Sequence, residues 1–113
     1  MLLTGLTVSF LKEFCFGVWV ALPVLLCLAA IIILLGQIAG GLEGWGRFDA
    51  FYWAFITATT VGYGDLKPTK VGSRMIAILI GLLGLTFTGI LIAIAVHAGA
   101  FALEAHDAAQ RLR

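Results

Sequence analysis

Charge is what this 113-residue sequence has least of: seven Lys or Arg and six Asp or Glu, 12% of the chain, against about 25% in an ordinary soluble domain. That scarcity, beside 62% hydrophobic residues, excludes a disordered chain and an ordinary soluble enzyme. A net charge of +1 leaves no field to draw a nucleic acid or another anionic partner. Histidine is scarce too: His97 and His106 are the two copies, and no nucleophile–base spacing or metal-ligand pattern stands out. No enzyme and no organic cofactor is expected. The two cysteines, Cys15 and Cys27, lie in one apolar stretch. On a helix they stand about 18 Å apart, far beyond disulfide reach, so they read as small hydrophobes.

What is present is apolar sequence in long pieces. Phe14–Ile38 runs 25 residues without a formal charge, about 37 Å of helix and enough to cross a hydrocarbon core of about 30 Å with some tilt. It is too long for the 7–15-residue apolar region of a signal peptide. Pro23 within it is tolerable as a mild kink. A second run, Met75–Leu103, has 29 residues and no formal charge, so it must tilt or project beyond the bilayer. A polar, helix-favouring tail, Glu104–Arg113, follows and stops abruptly. Leu3, Leu6, Phe10 and Phe14 share helical spacing, which suggests a short interfacial helix over 1–13.

Glycine is the counterweight. Fourteen glycines are about 12%, against about 7% on average, in a chain otherwise suited to lipid-embedded helices. Between the two runs, Gly40–Asp49 reads as a glycine-rich surface loop with Asp49 as an N-cap. Ala50–Ala58 is apolar and aromatic but only nine residues long, too short to cross and therefore a re-entrant candidate. Non-helical backbone at membrane depth is tolerated only where protein buries it or water lines it. A short helix over 49–59 followed by TTVGYGD therefore calls for an assembly around an aqueous path. Loop charge does not orient the chain: Arg47, Lys67, Lys70 and Arg74 lie in the middle, Lys12, Arg111 and Arg113 at the ends, too even a division for a positive-inside bias.

Thr59-Thr60-Val61-Gly62-Tyr63-Gly64-Asp65 closely resembles the selectivity filter of potassium channels. A dehydrated cation needs oxygens in place of its water, and main-chain carbonyls supply them if successive ones point the same way. That requires alternating backbone signs, which Gly62 and Gly64 provide without steric penalty, while Val61 and Tyr63 turn outward against the short helix. A dinucleotide loop is excluded, because the third glycine and the preceding strand are missing. The resemblance extends over roughly Phe14–Ala102. It implies an all-α membrane protein with two transmembrane helices, a re-entrant pore helix and an extended filter, assembled as a four-fold homotetramer among membrane lipid. One domain would comprise the outer helix at 14–38, the pore helix at 49–59, the filter at 60–64 and the inner helix at 72–103.

By that resemblance Thr60, Val61, Gly62, Tyr63 and Gly64 line the ion path. Permeant K⁺ would be held at the carbonyls of Thr60, Val61, Gly62 and Tyr63 and at the Thr60 hydroxyl. Thr59, Asp65, Tyr52, Trp53 and Ile56 support them, and the C-terminus of the short helix adds partial negative charge. Asp65 would bond Tyr52, where many relatives have Trp. Ile56 stands where some bacterial relatives have Glu, which removes a polar strut. Lys67 stands where some relatives carry an aromatic that stacks external tetraethylammonium, so weak external block is expected.

Gly84 matches the hinge glycine of related channels; close packing is the alternative reading there, as at Gly81 and Gly89. Leu85, Thr88 and Ile92 would line the cavity, with Val96, His97 and Ala100 near the inner mouth. His97, the titratable group of the second run, is a pH-sensing candidate, with a simple interfacial position as the alternative. The resemblance implies passive, K⁺-selective conduction across the cell membrane, with an extracellular filter mouth and cytoplasmic termini. A non-selective cation channel of the same fold, the pore of a larger ligand- or voltage-gated channel with a further cytoplasmic regulatory domain, and a non-conducting membrane adaptor are the alternatives.

Overall fold

The computed structural model describes residues 2–112. Its elements are three helices, α1 (Leu2–Glu43), α2 (Arg47–Ala58) and α3 (Val71–Arg111), with no strand among the described residues. The all-helical expectation is met. Helices α1 and α3 are each long and apolar enough to cross a membrane, and only 11% of the residues in the most apolar window of each are buried inside the chain. In a hydrocarbon medium a helix is the one open segment that satisfies its own backbone polar groups. Thr86 does the same for its hydroxyl by donating to the Leu82 carbonyl, 3.0 Å away.

The boundaries differ from the sequence expectation in four places. Residues 2–13 form no separate helix but are the first turns of α1, which continues through Pro23; Met1 and Arg113 lie outside the described residues. At its other end α1 runs on through Gly40 and Gly41 to Glu43, so the expected loop over Gly40–Asp49 shrinks to Gly44-Trp45-Gly46. Helix α2 begins at Arg47 with Gly46 as N-cap (φ −66°, ψ 163°) and no side-chain cap. Asp49 is therefore not the N-cap; it lies in the first turn, where a carboxylate still favours the helix dipole. The tail Glu104–Arg111 extends α3 beyond residue 103.

Contacts group the chain into two compact units, Val24–Thr88 and Met1–Pro23 with Gly89–Arg113. In the second of these, α1 approaches α3 over a glycine: a Cβ added at Gly17 would stand 2.5 Å from Ile94 Cγ2. Phe10 stacks on Phe14, centroids 5.9 Å apart, while Ala98 and Ala102 are buried.

The unit Val24–Thr88 carries the pore-helix candidate. Its core joins Ile32 and Ala39 of α1, Trp53, Ala54 and Ala58 of α2, and Ile80 of α3. Helix α2 is seated by small residues. Ala50, Ala54 and Ala58, spaced one turn apart, form a stripe that meets glycine on both neighbours. A Cβ at Gly36 would stand 2.5 Å from Ala54 Cβ, and one at Gly40 2.5 Å from Ala50 Cβ. One at Gly84 of α3 would stand 2.6 Å from both the Cα and the carbonyl carbon of Ala58 and nearer still to its oxygen. Close backbone approach through small residues is how helices associate where lipid removes the hydrophobic incentive. Trp45 leans on Trp53, centroids 5.2 Å apart, and Gln37 donates to the Arg47 carbonyl at 3.0 Å.

Candidate functional site

The TTVGYGD segment leaves α2 directly. Thr59 is the C-cap; its N–H donates to the Phe55 carbonyl at 3.0 Å, and its hydroxyl to the same oxygen at 2.8 Å. The Thr60 N–H reaches the Thr57 carbonyl at 3.2 Å. One acceptor then takes two donors: the Ile56 carbonyl receives the N–H of Val61 at 3.0 Å and that of Gly62 at 3.1 Å. The buried Ile56 thus holds the segment through its backbone, although its side chain offers no hydrogen bond.

From there the backbone alternates in sign. Thr60 (φ 64°), Gly62 (φ 53°) and Gly64 (φ 81°) have positive φ, and the residues between them do not. Reversing every second residue turns successive carbonyls toward one side, where an ordinary strand would alternate them. The two glycines adopt this freely. Thr60 does not: a β-branched residue at positive φ is a genuine outlier, and such conformations, costing about 1–3 kcal/mol each, cluster at functional sites. Among the described residues, the carbonyls of Thr60, Val61, Gly62 and Tyr63 accept no hydrogen bond. Among the described residues, no three His, Cys, Asp or Glu side chains gather as an alternative ligand set.

Val61 is 52% and Tyr63 72% exposed, so much of each side chain is left uncovered in the single chain. Of the residues expected to support the segment, Trp53 is buried and Tyr52 half-buried. Burial raises the Tyr52 phenol above its ordinary value, and Asp65, as a hydrogen-bond partner and as a charge, raises it further. Asp65 therefore lies close enough to Tyr52 to act on its phenol.

Gly84 is buried beneath the Ala58 carbonyl, so close approach is its visible requirement; α3 continues through it unbroken. Near it, Phe55, Thr59, Phe87 and Thr88 line part of an apolar cavity of about 160 Å³. Leu85 and Thr88 are exposed. Ile92, Val96, His97 and Ala100 belong to the other unit, where all four are exposed.

A cluster around Glu43 was not anticipated. Its carboxylate accepts from the Thr69 N–H, from the Thr69 hydroxyl at 2.8 Å and from the Lys70 N–H at 2.9 Å. The Lys70 ammonium in turn donates to the Leu42 carbonyl at 2.6 Å. Glu43, beyond the charge-free run, thereby caps α3 and closes the intervening segment on itself. The Lys70 N–H foremost, and then Thr69, hold its pKa down at about 2 against an ordinary 4.5. No local sequence signal marks a partner 26 residues away. The Gly36/Gly40 spacing on α1, answered by Ala50, Ala54 and Ala58, was a signal of the small-residue kind.

Comparisons with known proteins agree with this geometry. The ion channel family matches residues 20–100. TWiK family of potassium channels protein 7 of Caenorhabditis elegans is 44% identical over 70 residues, 59% of this chain and 13% of that protein. The human potassium voltage-gated channel subfamily A member 4 is 53% identical over 36 residues, 32% of this chain and 6% of that protein. Subfamily A member 5 of Oryctolagus cuniculus is 50% identical over 36 residues, again 32% and 6%. The chain thus spans 13% or less of the length of these relatives. No solved structure matches. With most of its length, the greater part of both crossing-length helices and the whole segment between them inside the match, the chain belongs to the ion channel family, membrane proteins that are not enzymes.

Proposed function

We propose that the chain is the pore-forming subunit of a K⁺-selective channel, with four copies around one axis and a passive ion path along Thr60–Gly64. The observation that carries this reading is the alternation of φ at Thr60, Gly62 and Gly64, with four successive carbonyls left free of hydrogen bonds. A single chain supplies one wall of such a path. Rings of these carbonyls replace the hydration shell of K⁺ in filters of this sequence. Names of the similar proteins as potassium channels support the choice of ion.

In this reading residues 14–38 of α1 and 75–103 of α3 cross the bilayer as outer and inner helices. Helix α2 re-enters it, and its C-terminal partial charge, about half a unit, favours a cation at the inner end of the filter. Asp65, Tyr52, Trp53, Ile56 and Thr59 brace the filter. Leu85, Thr88 and Ile92 face the cavity, with Val96, His97 and Ala100 at the inner mouth and Gly84 seated against Ala58 at the end of α2. The filter mouth is extracellular and both termini are cytoplasmic. The exposed Val61 and Tyr63 are covered by neighbouring copies.

The test is the reversal potential of the purified chain in a planar bilayer with opposed K⁺ and Na⁺ gradients. A value near the K⁺ equilibrium potential is expected. A value near zero assigns a non-selective pore, and absence of current under all voltages removes the conduction reading.

A further inference from the structure

Three aromatic side chains away from the ion path, Phe51, Phe55 and Phe87, share a wall with Ala29, Ile32 and Ile33 of α1. Together they line most of the apolar cavity of about 160 Å³. Phe51 and Phe55, one turn apart on α2, stack at 6.2 Å between centroids and stay 39% and 60% exposed. The cavity follows from how α2 is seated. Ala54, Ala58 and Gly84, the small residues through which α2 approaches its neighbours, also border it. None of them has a side chain long enough to fill the space alongside. Protein interiors hold few voids larger than a water molecule, and the walls of a void forgo the dispersion contacts of a filled site.

The lining restricts what can enter. It is almost wholly apolar. Of its two hydroxyls, that of Thr59 is spent on the Phe55 carbonyl at 2.8 Å, which leaves that of Thr88. A buried water needs two to four polar partners, and an apolar cavity without them stays dry. A charged or strongly polar guest would lose its hydration with nothing in return. An engineered cavity of about 150 Å³ lined by Leu, Ile and Phe takes up benzene or xenon. The present cavity has nearly that volume and similar walls, with three phenyl rings on which an aromatic guest can pack edge to face.

We propose that this cavity is a binding site for one small, uncharged aromatic molecule of about the size of benzene. The guest lies against Ala54, Ala58 and Thr59 of α2 and Gly84 of α3. It adds contact along the flank where α2 is held by missing methyl groups, so occupancy favours the seated helix. A ligand that binds only the folded chain raises the folding equilibrium constant by the factor 1 + [L]/Kd. The walls come from one chain, and the site depends on neither conduction nor the identity of the permeant ion.

The experiment titrates fluorobenzene into the purified full-length chain in detergent, followed by fluorine NMR. A saturable resonance, one ring per chain and distinct from the micelle signal, is expected. At ten times the dissociation constant, the folding equilibrium constant read from tryptophan fluorescence should rise about elevenfold. Ala29→Leu places a larger side chain in the space and should lose the bound resonance. Ile33→Ala enlarges the cavity and should admit fluoronaphthalene, which the wild type excludes. Benzylammonium, a charged ring of similar size, should not displace fluorobenzene. A wild type without a saturable resonance, as when a neighbouring copy fills the cavity, overturns the proposal. Binding that persists in Ala29→Leu, or an Ile33→Ala chain that still excludes fluoronaphthalene, does the same. Displacement by benzylammonium would refute the apolar chemistry, and displacement by added phospholipid would assign the cavity to acyl chains instead.

Discussion

Replacing Gly84 with alanine separates its two readings by the sign of the stability change. If Gly84 matters only as a flexible point in α3, alanine strengthens the helix by about 1 kcal/mol and stiffens it. The packing points the other way. The added methyl would meet three backbone atoms of Ala58, two of them at 2.6 Å, and no rotamer change can move a backbone carbonyl aside. Overpacking of this kind costs about 1–3 kcal/mol, occasionally more, and rigid backbone on one side puts Gly84 at the upper end. Against the propensity gain, a net loss of about 2 kcal/mol remains, about thirtyfold in the folding equilibrium. Ala58 lies two residues before Thr60, so a displaced α2 end should also disturb the filter. The assay is unfolding of purified protein in detergent, followed by tryptophan fluorescence, since Trp45 and Trp53 sit in this core. Bilayer selectivity is the second readout. Gly81→Ala is the control: an added Cβ there meets nothing within 4 Å, so it should stabilise by up to about 1 kcal/mol. A Gly84→Ala protein as stable as Gly81→Ala, with unchanged selectivity, would refute the packing argument.

Two further outcomes follow from positions whose geometry is equally specific. Glu43 has its pKa lowered from 4.5 to about 2 in the folded chain; a depressed carboxylate contributes stability that is complete above about 4.5 and lost as pH falls toward 2. Melting temperatures measured across pH 2–6 should fall in that window for the wild type. Glu43→Gln should be less stable at pH 6 and lack this part of the acid-induced fall; an identical acid profile in both would show that the carboxylate does not cap α3. Gly62→Ala places a side chain at φ 53°, a left-handed conformation that disfavours L-residues by about 1–2 kcal/mol. The permeability ratio of Na⁺ to K⁺ should rise in this variant, whereas a wild-type ratio would mean that the positive φ is not needed for selectivity.

The parts legible in the sequence are those whose cause is local. Two charge-free runs read as crossing helices because hydropathy is additive along a segment, and the Thr59–Asp65 motif is short and contiguous. What was not legible depends on partners distant in the chain. Gly40 and Gly41 read as loop because glycine weakens helices, yet α1 passes through both and the Cβ-free surface of Gly40 receives Ala50. The start of α2 was misplaced because Asp49 is a good capping residue, while the observed cap, Gly46, makes no side-chain bond. The positive φ of Thr60 had no signal either; the residue type argues against it, and only the donors anchored at Thr57 and Ile56 hold the chain in that turn.

The close approach at Gly40 bears on how the site is held. Inside a bilayer, burying an apolar side chain gains little, since lipid is equally apolar; van der Waals contact at short range has to hold α2 in place. That contact is available only where side chains are nearly absent, which is why Gly36, Gly40 and Gly84 face Ala50, Ala54 and Ala58. The position of α2 fixes the Ile56 carbonyl, which holds Val61 and Gly62 through two N–H donors. The free carbonyls that follow are thus positioned through a chain of contacts that begins with missing methyl groups on α1 and α3. The glycine excess and the charge deficit are accordingly two sides of one arrangement: with no charged residue in either apolar run, the proposed cation path has backbone oxygen to rely on, and backbone oxygen can be aimed only if the helix beneath it is seated closely.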